Sequence, residues 1–288
     1  MLRLNPPALS KMHRFLSTSS PFFKAGRRVL VPEYPLKTKP GKSVSIELAE
    51  YSDLPLITEY SEKSFSAEEP LSVALGVDPK VMNDQLTNKV SSFCLDFPFS
   101  TLAFDGDKLV AYIMVSLDII DGNHPRLPKE IPEDFGPLFE KYANKFGITD
   151  PKTADITGTV WYACDMVANF LPEGEKHIVA HGEMGSVMKE YTGNNLVAAL
   201  IVEGAKHIAS TGLCDYYYGT ATAAATAHLN PQLGLREVWS LKVKDISVGG
   251  RRVYKQDVLH EGADRITINL GKIQDVANTD YLNKKGIF

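Results

Sequence analysis

From Ser43 the chain alternates: Val44, Ile46 and Leu48 fall on one side, and Ser43, Ser45 and Glu47 on the other. A period of two is that of a strand. At Asp53 the period changes. Leu54, Ile57 and Tyr60 share one side of a helix, with Asp53 as its N-cap and Pro55 in its first turn. Glu68-Glu69-Pro70-Leu71 interrupts that helix, and a second is predicted from Lys80 to Phe93, with Val81, Leu86 and Val90 as its apolar side. Thr101–Phe104 and Leu109–Leu117 read as strands joined by the hairpin signal Asp105-Gly106-Asp107. The run LVAYIMVSL is long and apolar, as a central strand requires.

Residues 121–176 carry several prolines and one predicted helix, Phe135–Phe146, and read as an insertion on the domain. The pattern then sharpens. His177–Val187 is a strand, Tyr191-Thr192-Gly193-Asn194-Asn195 a turn, and Leu196–Ser210 a helix closed by Gly212. Cys214–Tyr218 is a strand, Ala221–Leu229 a short helix and Glu237–Val243 a closing strand. Gly249-Gly250 sets off a polar tail, so residues 251–288 are expected to be a C-terminal extension to a domain spanning 41–250. The order of elements predicts an α/β fold, a mixed central sheet flanked by helices.

Charge changes the picture at the N-terminus. Arg3, Lys11, Arg14, Lys24, Arg27 and Arg28 precede the first acid, Glu33. Residues 1–40 therefore read as a basic, Ser-rich leader, either a mitochondrial presequence or a disordered tail, with a cytoplasmic location as the alternative. With those six bases set aside, 25 bases face 35 acids and the rest of the chain carries −10. An acidic body excludes nucleic acid as the main partner, since phosphate binding needs clustered Lys and Arg. It suits a cationic small molecule. No apolar run reaches the roughly 20 residues of a membrane span. Cys94, Cys164 and Cys214 are scattered, with no metal-ligand spacing, and read as buried thiols; no metal is expected.

The unit that carries chemistry is strand, turn, helix, strand across Glu183 to Tyr218. A small-residue turn before a helix offers unpaired N–H groups and the positive end of the helix dipole to a phosphate. Val187-Met188-Lys189-Glu190-Tyr191-Thr192-Gly193-Asn194-Asn195-Leu196 resembles the acyl-CoA-binding segment of the GNAT N-acetyltransferases, a valine followed by the loop Q/R-x-x-G-x-G/A. Asn230-Pro231-Gln232-Leu233-Gly234-Leu235 resembles that superfamily's Y-x-K-L-G-F segment. Three positions depart from the pattern: Glu190 stands for Q/R, Asn195 for the last Gly or Ala, and Asn230 for the tyrosine. Phe65-Ser66-Ala67-Glu68-Glu69-Pro70-Leu71 resembles the F-x-x-D-E-P-L motif of insect-type arylalkylamine and dopamine N-acetyltransferases.

That resemblance implies the GNAT acyl-CoA N-acyltransferase fold and acetyl-CoA as co-substrate, held by Val187, Thr192, Gly193, Asn194, Asn195 and Leu196. It implies Glu69 as general base. It puts two hydroxyls, Thr222 and Thr226, where the family carries two serines one helical turn apart. The partner would be a small primary aryl- or alkylamine, and the protein a monomer or weak dimer.

The residues leave other readings open. Glu69 before Pro70 is also a good helix N-cap, and Thr222 and Thr226 suit backbone capping. His181 and His228 could serve as bases, but a lone histidine is more often structural, and only His228 is held in reserve. Tyr216-Tyr217-Tyr218 suits strand packing on alternating faces. Rival functions are a longer-chain acyl-CoA N-acyltransferase, and a catalytically degenerate relative that binds CoA or a protein partner.

Overall fold

A computed structural model describes residues 26–121, 124 and 126–287. In chain order its strands are β1 (Val29–Pro35), β2 (Ser43–Leu48), β3 (Thr101–Asp105), β4 (Lys108–Ile120), β5 (His177–Val187), β6 (Tyr216–Ala221), β7 (Arg236–Lys242), β8 (Ser247–Val248), β9 (Arg251–Arg252) and β10 (Arg265–Lys272). Eight of them form one sheet in the order β1-β2-β3-β4-β5-β6-β10-β7, and β8 pairs with β9. The β5–β6 pair is parallel; its neighbours in the sheet are antiparallel. The expected mixed α/β fold is thus formed, with β4 buried along nearly its whole length as a central strand must be.

Helices cover both faces. They are α1 (Leu54–Lys63), α2 (Phe65–Glu68), α3 (Pro70–Leu75), α4 (Pro79–Met82), α5 (Asn88–Cys94), α6 (Gly136–Phe146), α7 (Pro151–Met166), α8 (Leu196–Thr211), α9 (Ala224–Gln232), α10 (Ile273–Ala277) and α11 (Tyr281–Lys284). One core lies between the sheet and α1, α5, α6 and α7; the other lies between the sheet, α8 and α10. The predicted helix 80–93 is present but broken by a π-helical stretch, Asn83–Thr87. Among the described residues no helix is long and apolar enough to cross a membrane.

Two segments correct the sequence boundaries, and a third adds more to the core than its pattern suggests. The fold begins before residue 41. Val29–Pro35 pairs with β2, and Tyr34 and Leu36 are buried. Arg27 is tied to Asp53 at 2.9 Å. The presequence reading now concerns residues 1–25, outside the described residues.

The segment 121–176, read as an insertion on the domain, contributes to the core. Its helix α7 packs against the sheet, with Ile156, Trp161 and Met166 buried. Its small and hydroxyl residues hid this. Thr157 donates to the Thr153 carbonyl and Thr159 to the Asp155 carbonyl, so both hydroxyls are satisfied inside the helix and can be buried. Gly158 lets α6 approach closely, since a Cβ there would sit 2.1 Å from the Phe139 ring.

The polar tail is part of the sheet. Arg265–Lys272 inserts between β6 and β7, antiparallel to both, so the predicted closing strand lies at the sheet edge. The sequence boundaries also shift at the preceding strand and helix, which occupy Tyr216–Ala221 and Ala224–Gln232.

Candidate active site

The parallel pair β5–β6 is short. It runs from Val179 opposite Tyr216 to Gly182 opposite Gly219 and stops. β5 continues to Val187 against β4, and β6 continues to Ala221 against β10. The two strands part at Gly182, and the sheet opens into a V. A bulge marks the point. Met114 pairs with Met184 and Val115 with Gly182, which leaves Glu183 as the extra residue. Bulges bend a strand and re-aim side chains, and they concentrate beside functional sites.

A cavity of about 360 Å³ occupies this opening, a size suited to a small ligand. Phe65, Met82, Leu86, Ile156 and Trp161 give it one apolar wall. Val187, Thr192, Val197 and Ile201 lie on the wall formed by the end of β5 and the start of α8. Glu68, Glu69, Glu183 and Glu261 line it, with no Lys, Arg or His among the described lining residues. The charged side chains among its described lining residues are thus all acidic.

The expected acid–base residues meet here. Glu69, Thr222 and Thr226 all line the cavity. Glu69 is 7% exposed. It is also the N-cap of α3: Oε1 accepts from Leu71 N at 3.1 Å, and Oε2 accepts from Ser72 N at 2.7 Å and Ser72 Oγ at 2.8 Å. The capping and cavity readings of this glutamate are thus compatible. Thr222 lies between β6 and α9, and Thr226 on α9.

The expected cofactor residues divide. Val187 and Thr192 line the cavity; Gly193, Asn194, Asn195 and Leu196 build the loop behind it. Gly193 has φ +78°, and a Cβ there would lie 3.3 Å from Thr38 Cγ2. Asn194 is fully buried and faces inward: its Nδ2 donates to Thr38 Oγ1 and the Tyr191 carbonyl at 2.8 Å each, and its Oδ1 accepts from Thr38 N at 2.9 Å. Asn195 sits at φ 55°, ψ 28°, the left-handed region that Asn tolerates better than most residues. Its Oδ1 accepts from the Tyr281 hydroxyl. Leu196 is buried in the core under α8. The loop is braced from both ends of the chain, since Tyr34 also donates to the Asn194 carbonyl.

Of the histidines, His228 is exposed and outside this cavity. His181 is buried beneath the bulge. Its ring stacks on Tyr218 at 4.0 Å between centroids, and its Nδ1 is 3.1 Å from Glu183 Oε1. Burial alone would push this imidazole down, but Glu183 and Cys164 outweigh it and hold the ring well above the ordinary imidazole range. Tyr217 and Tyr218 are both buried and pack into opposite cores, as strand neighbours do. Asn230, in place of the family tyrosine, is buried and donates to Asn269 Oδ1 at 3.3 Å. The three cysteines are buried and unpaired to one another. Among the described residues no cluster of metal-ligating side chains occurs. Glu183 itself escaped the sequence reading, because a bulge leaves no mark in an apolar pattern.

No protein-family model matches the chain, and no curated protein sequence does. Solved structures do. Arylalkylamine N-acetyltransferase 2 from Aedes aegypti superposes with a TM-score of 0.61 at 17% identity, over 80% of this chain and 99% of that one. Mosquito arylalkylamine N-acetyltransferase like 5b gives 0.60 at 15%, over 80% and 100%. The polyamine N-acetyltransferase of Drosophila melanogaster gives 0.57 at 15%, over 80% and 100%. With β5 and β6 parting as they do and a small-residue loop leading into α8, this chain has the GNAT N-acetyltransferase fold and resembles the insect arylalkylamine N-acetyltransferases.

Proposed function

We propose that this protein transfers an acetyl group from acetyl-CoA to the primary amine of a small aryl- or alkylamine, directly and without a covalent enzyme intermediate. One observation carries the reading: the cavity at the parting of β5 and β6 joins the loop before α8 to an apolar wall and four glutamates, with no basic lining residue among those described. A loop of N–H groups before a helix suits the pyrophosphate of a CoA ester. An acidic, apolar-walled pocket suits a cationic amine with a hydrocarbon body. The similar structures, an arylalkylamine and a polyamine N-acetyltransferase, point the same way.

In this mechanism the amine enters as an ammonium, with a pKa of about 10. It cannot attack until it loses a proton, and Glu69 is the base that accepts it, directly or through one water. The nitrogen then attacks the thioester carbon. Beyond Gly182 the β5 backbone has left its β6 partner, and its N–H groups are suited to the developing oxyanion. Thr222 or Thr226 protonates the departing thiolate. Much of the acceleration comes from holding two substrates side by side. The test is release of free CoA from acetyl-CoA on addition of a panel of primary amines, arylalkylamines first. Measurable acetyl-CoA binding with no CoA release for any amine would overturn it in favour of a binding protein.

A further inference from the structure

The reaction proposed above removes two protons from nitrogen and returns one to sulfur. The ammonium loses the first before attack. The tetrahedral adduct then bears a second on a nitrogen that has become cationic again. One carboxylate can take the first. The second comes off that nitrogen once it is bonded to the reacting carbon, and another carboxylate lines the same cavity.

Glu183 is the bulged residue at the point where β5 leaves β6, and it lines the cavity although its side chain is only 3% exposed. Its Oε1 accepts from Ser116 Oγ at 2.7 Å and lies 3.1 Å from His181 Nδ1. His181 is fixed in turn. Its ring stacks on Tyr218 at an interplanar angle of 8°, its Nδ1 lies 3.8 Å from Asp118 Oδ2, and its Nε2 lies 3.9 Å from Cys164 Sγ. Tyr218 donates to Asp118 Oδ2 at 2.7 Å. Among the described residues, titratable groups near Glu183 include His181 on its own strand, Asp118 on β4, Tyr218 on β6 and Cys164 on α7, and Glu68, Glu69 and Glu261 line the same cavity. A buried ion pair is poor value as a stabilising device, because desolvation offsets most of its attraction. Set on a bulge at a cavity, the pair reads as a device for aiming a carboxylate.

We propose that Glu183 is a second catalytic carboxylate, which takes the proton from the nitrogen of the tetrahedral adduct, with His181 as its positioning residue. The proposal rests on the acetyl-transfer reading. Glu69 takes the first proton from the ammonium. The nitrogen lone pair forms the C–N bond as the carbonyl pair moves to oxygen. Glu183 takes the remaining surplus proton from nitrogen, the carbonyl re-forms, the C–S bond breaks, and that proton reaches the thiolate directly or through Thr222 or Thr226. The proton on Glu69 leaves to water with the product, so one proton is released per turnover.

The two carboxylates are separated by pH. Raising the pH supplies free amine and replaces a base that acts before attack, but it does not replace one that acts on the adduct. With an amine that the wild type acetylates, kcat is measured from pH 6 to 10, alongside acetyl-CoA affinity as a check of folding. Glu69→Gln is expected to lose roughly 10²-fold at neutral pH and to recover as pH approaches the amine's pKa; Glu183→Gln is expected to lose as much and to keep the deficit at high pH. His181→Gln lowers kcat less than Glu183→Gln and leaves KM unchanged. A Glu183→Gln enzyme within twofold of wild type, or one rescued in parallel with Glu69→Gln, overturns the proposal while leaving acetyl transfer intact. A wild type inactive on every amine overturns the underlying reading instead. If Glu183→Gln fails to bind acetyl-CoA, Ser116→Ala is read in its place: it keeps the carboxylate and removes a donor to it, so the midpoint of the kcat–pH profile must move. An unmoved midpoint overturns the proposal.

Discussion

Thr38 and Asn194 lie 156 positions apart and are joined by three short contacts: the Thr38 N–H and hydroxyl both meet Asn194 Oδ1, at 2.9 and 3.1 Å, and Asn194 Nδ2 meets the Thr38 hydroxyl at 2.8 Å. The loop before α8 is thus held from behind by the turn that follows β1. Its own sequence departs from the family pattern at Glu190 and Asn195, and its shape is enforced from outside. Asn194→Ala removes a partner from the Thr38 N–H, which is exposed and can turn to water, and strands the buried Tyr191 carbonyl, at a cost of about 1–3 kcal/mol. The expected result is a lower Tm together with acetyl-CoA affinity weakened by about tenfold, the binding equivalent of about 1.4 kcal/mol. Calorimetric titration checks this. Unchanged affinity in a destabilised protein would detach the loop from the cofactor.

Gly193 and Asn195 are both left-handed, at φ +78° and +55°, but they differ in what surrounds them. Gly193→Val adds a β-branched side chain at positive φ, with Thr38 Cγ2 already 3.3 Å from the new Cβ. It should abolish acetyl-CoA binding. Asn195→Gly relaxes the backbone at the cost of one long contact from Tyr281, and binding should be preserved or improved. Titrating acetyl-CoA into the two variants and the wild type decides this; full affinity in Gly193→Val shows that the cofactor is seated elsewhere.

What was legible from sequence was what burial writes as a period. β4 and α8 carry long apolar patterns, and both lie where those patterns put them. The Phe65–Leu71 motif was legible as a resemblance, and Glu69 does face the cavity. β1 was masked by the basic residues before it, although Val29, Val31 and Leu30 already suit a strand. α7 was masked because its buried residues Ile156, Trp161 and Met166 are interleaved with buried Thr153, Thr157, Gly158 and Thr159, and the Thr157 and Thr159 hydroxyls are satisfied within the helix, so no clean hydrophobic stripe shows. β10 was masked by distance: nothing in Arg265–Lys272 says that it slots between two strands that precede it. Glu183 and its partners were illegible for the same reason, since the cluster draws on β4, β5, β6 and α7.

Asp155 offers a stability test away from the reaction. Burial first, and Asp150 second, push its carboxyl up to about 6. The unfolded value is near 3.9. A raised acid binds its proton more tightly in the folded state, so stability falls as pH rises from about 4 through about 6 and stays lowered above. Asp155→Asn removes the half-buried charge and keeps the shape. Its Tm should exceed that of the wild type at pH 7.5 and match it at pH 4. Equal Tm values at both pH values would show that the carboxylate is relieved by solvent.

Glu69 carries two duties that mutation can separate. Its oxygens accept from Leu71 N, Ser72 N and Ser72 Oγ, so it caps α3; its carboxylate also lines the cavity. Glu69→Ala removes both functions and should cost about 1 kcal/mol of stability as a lost cap. Glu69→Gln turns an amide nitrogen toward donors that now meet carboxylate oxygens on both sides, so it too should lower Tm slightly. Glu69→Asp is the informative variant. Aspartate is among the best N-cap residues, and it keeps the charge while withdrawing it by one methylene. A base displaced by about an ångström loses its reach to the ammonium, at a cost near 10²-fold. The expected pattern is a Tm close to wild type for Glu69→Asp with kcat/KM down by about 10²-fold, and a similar or larger loss for Glu69→Gln and Glu69→Ala with lower Tm. Acetyl-CoA affinity should stay level across the series, because the loop before α8 lies on another wall of the cavity. Should activity instead follow Tm, with Glu69→Asp nearly as active as wild type, Glu69 serves the helix alone and the first proton goes to another acceptor.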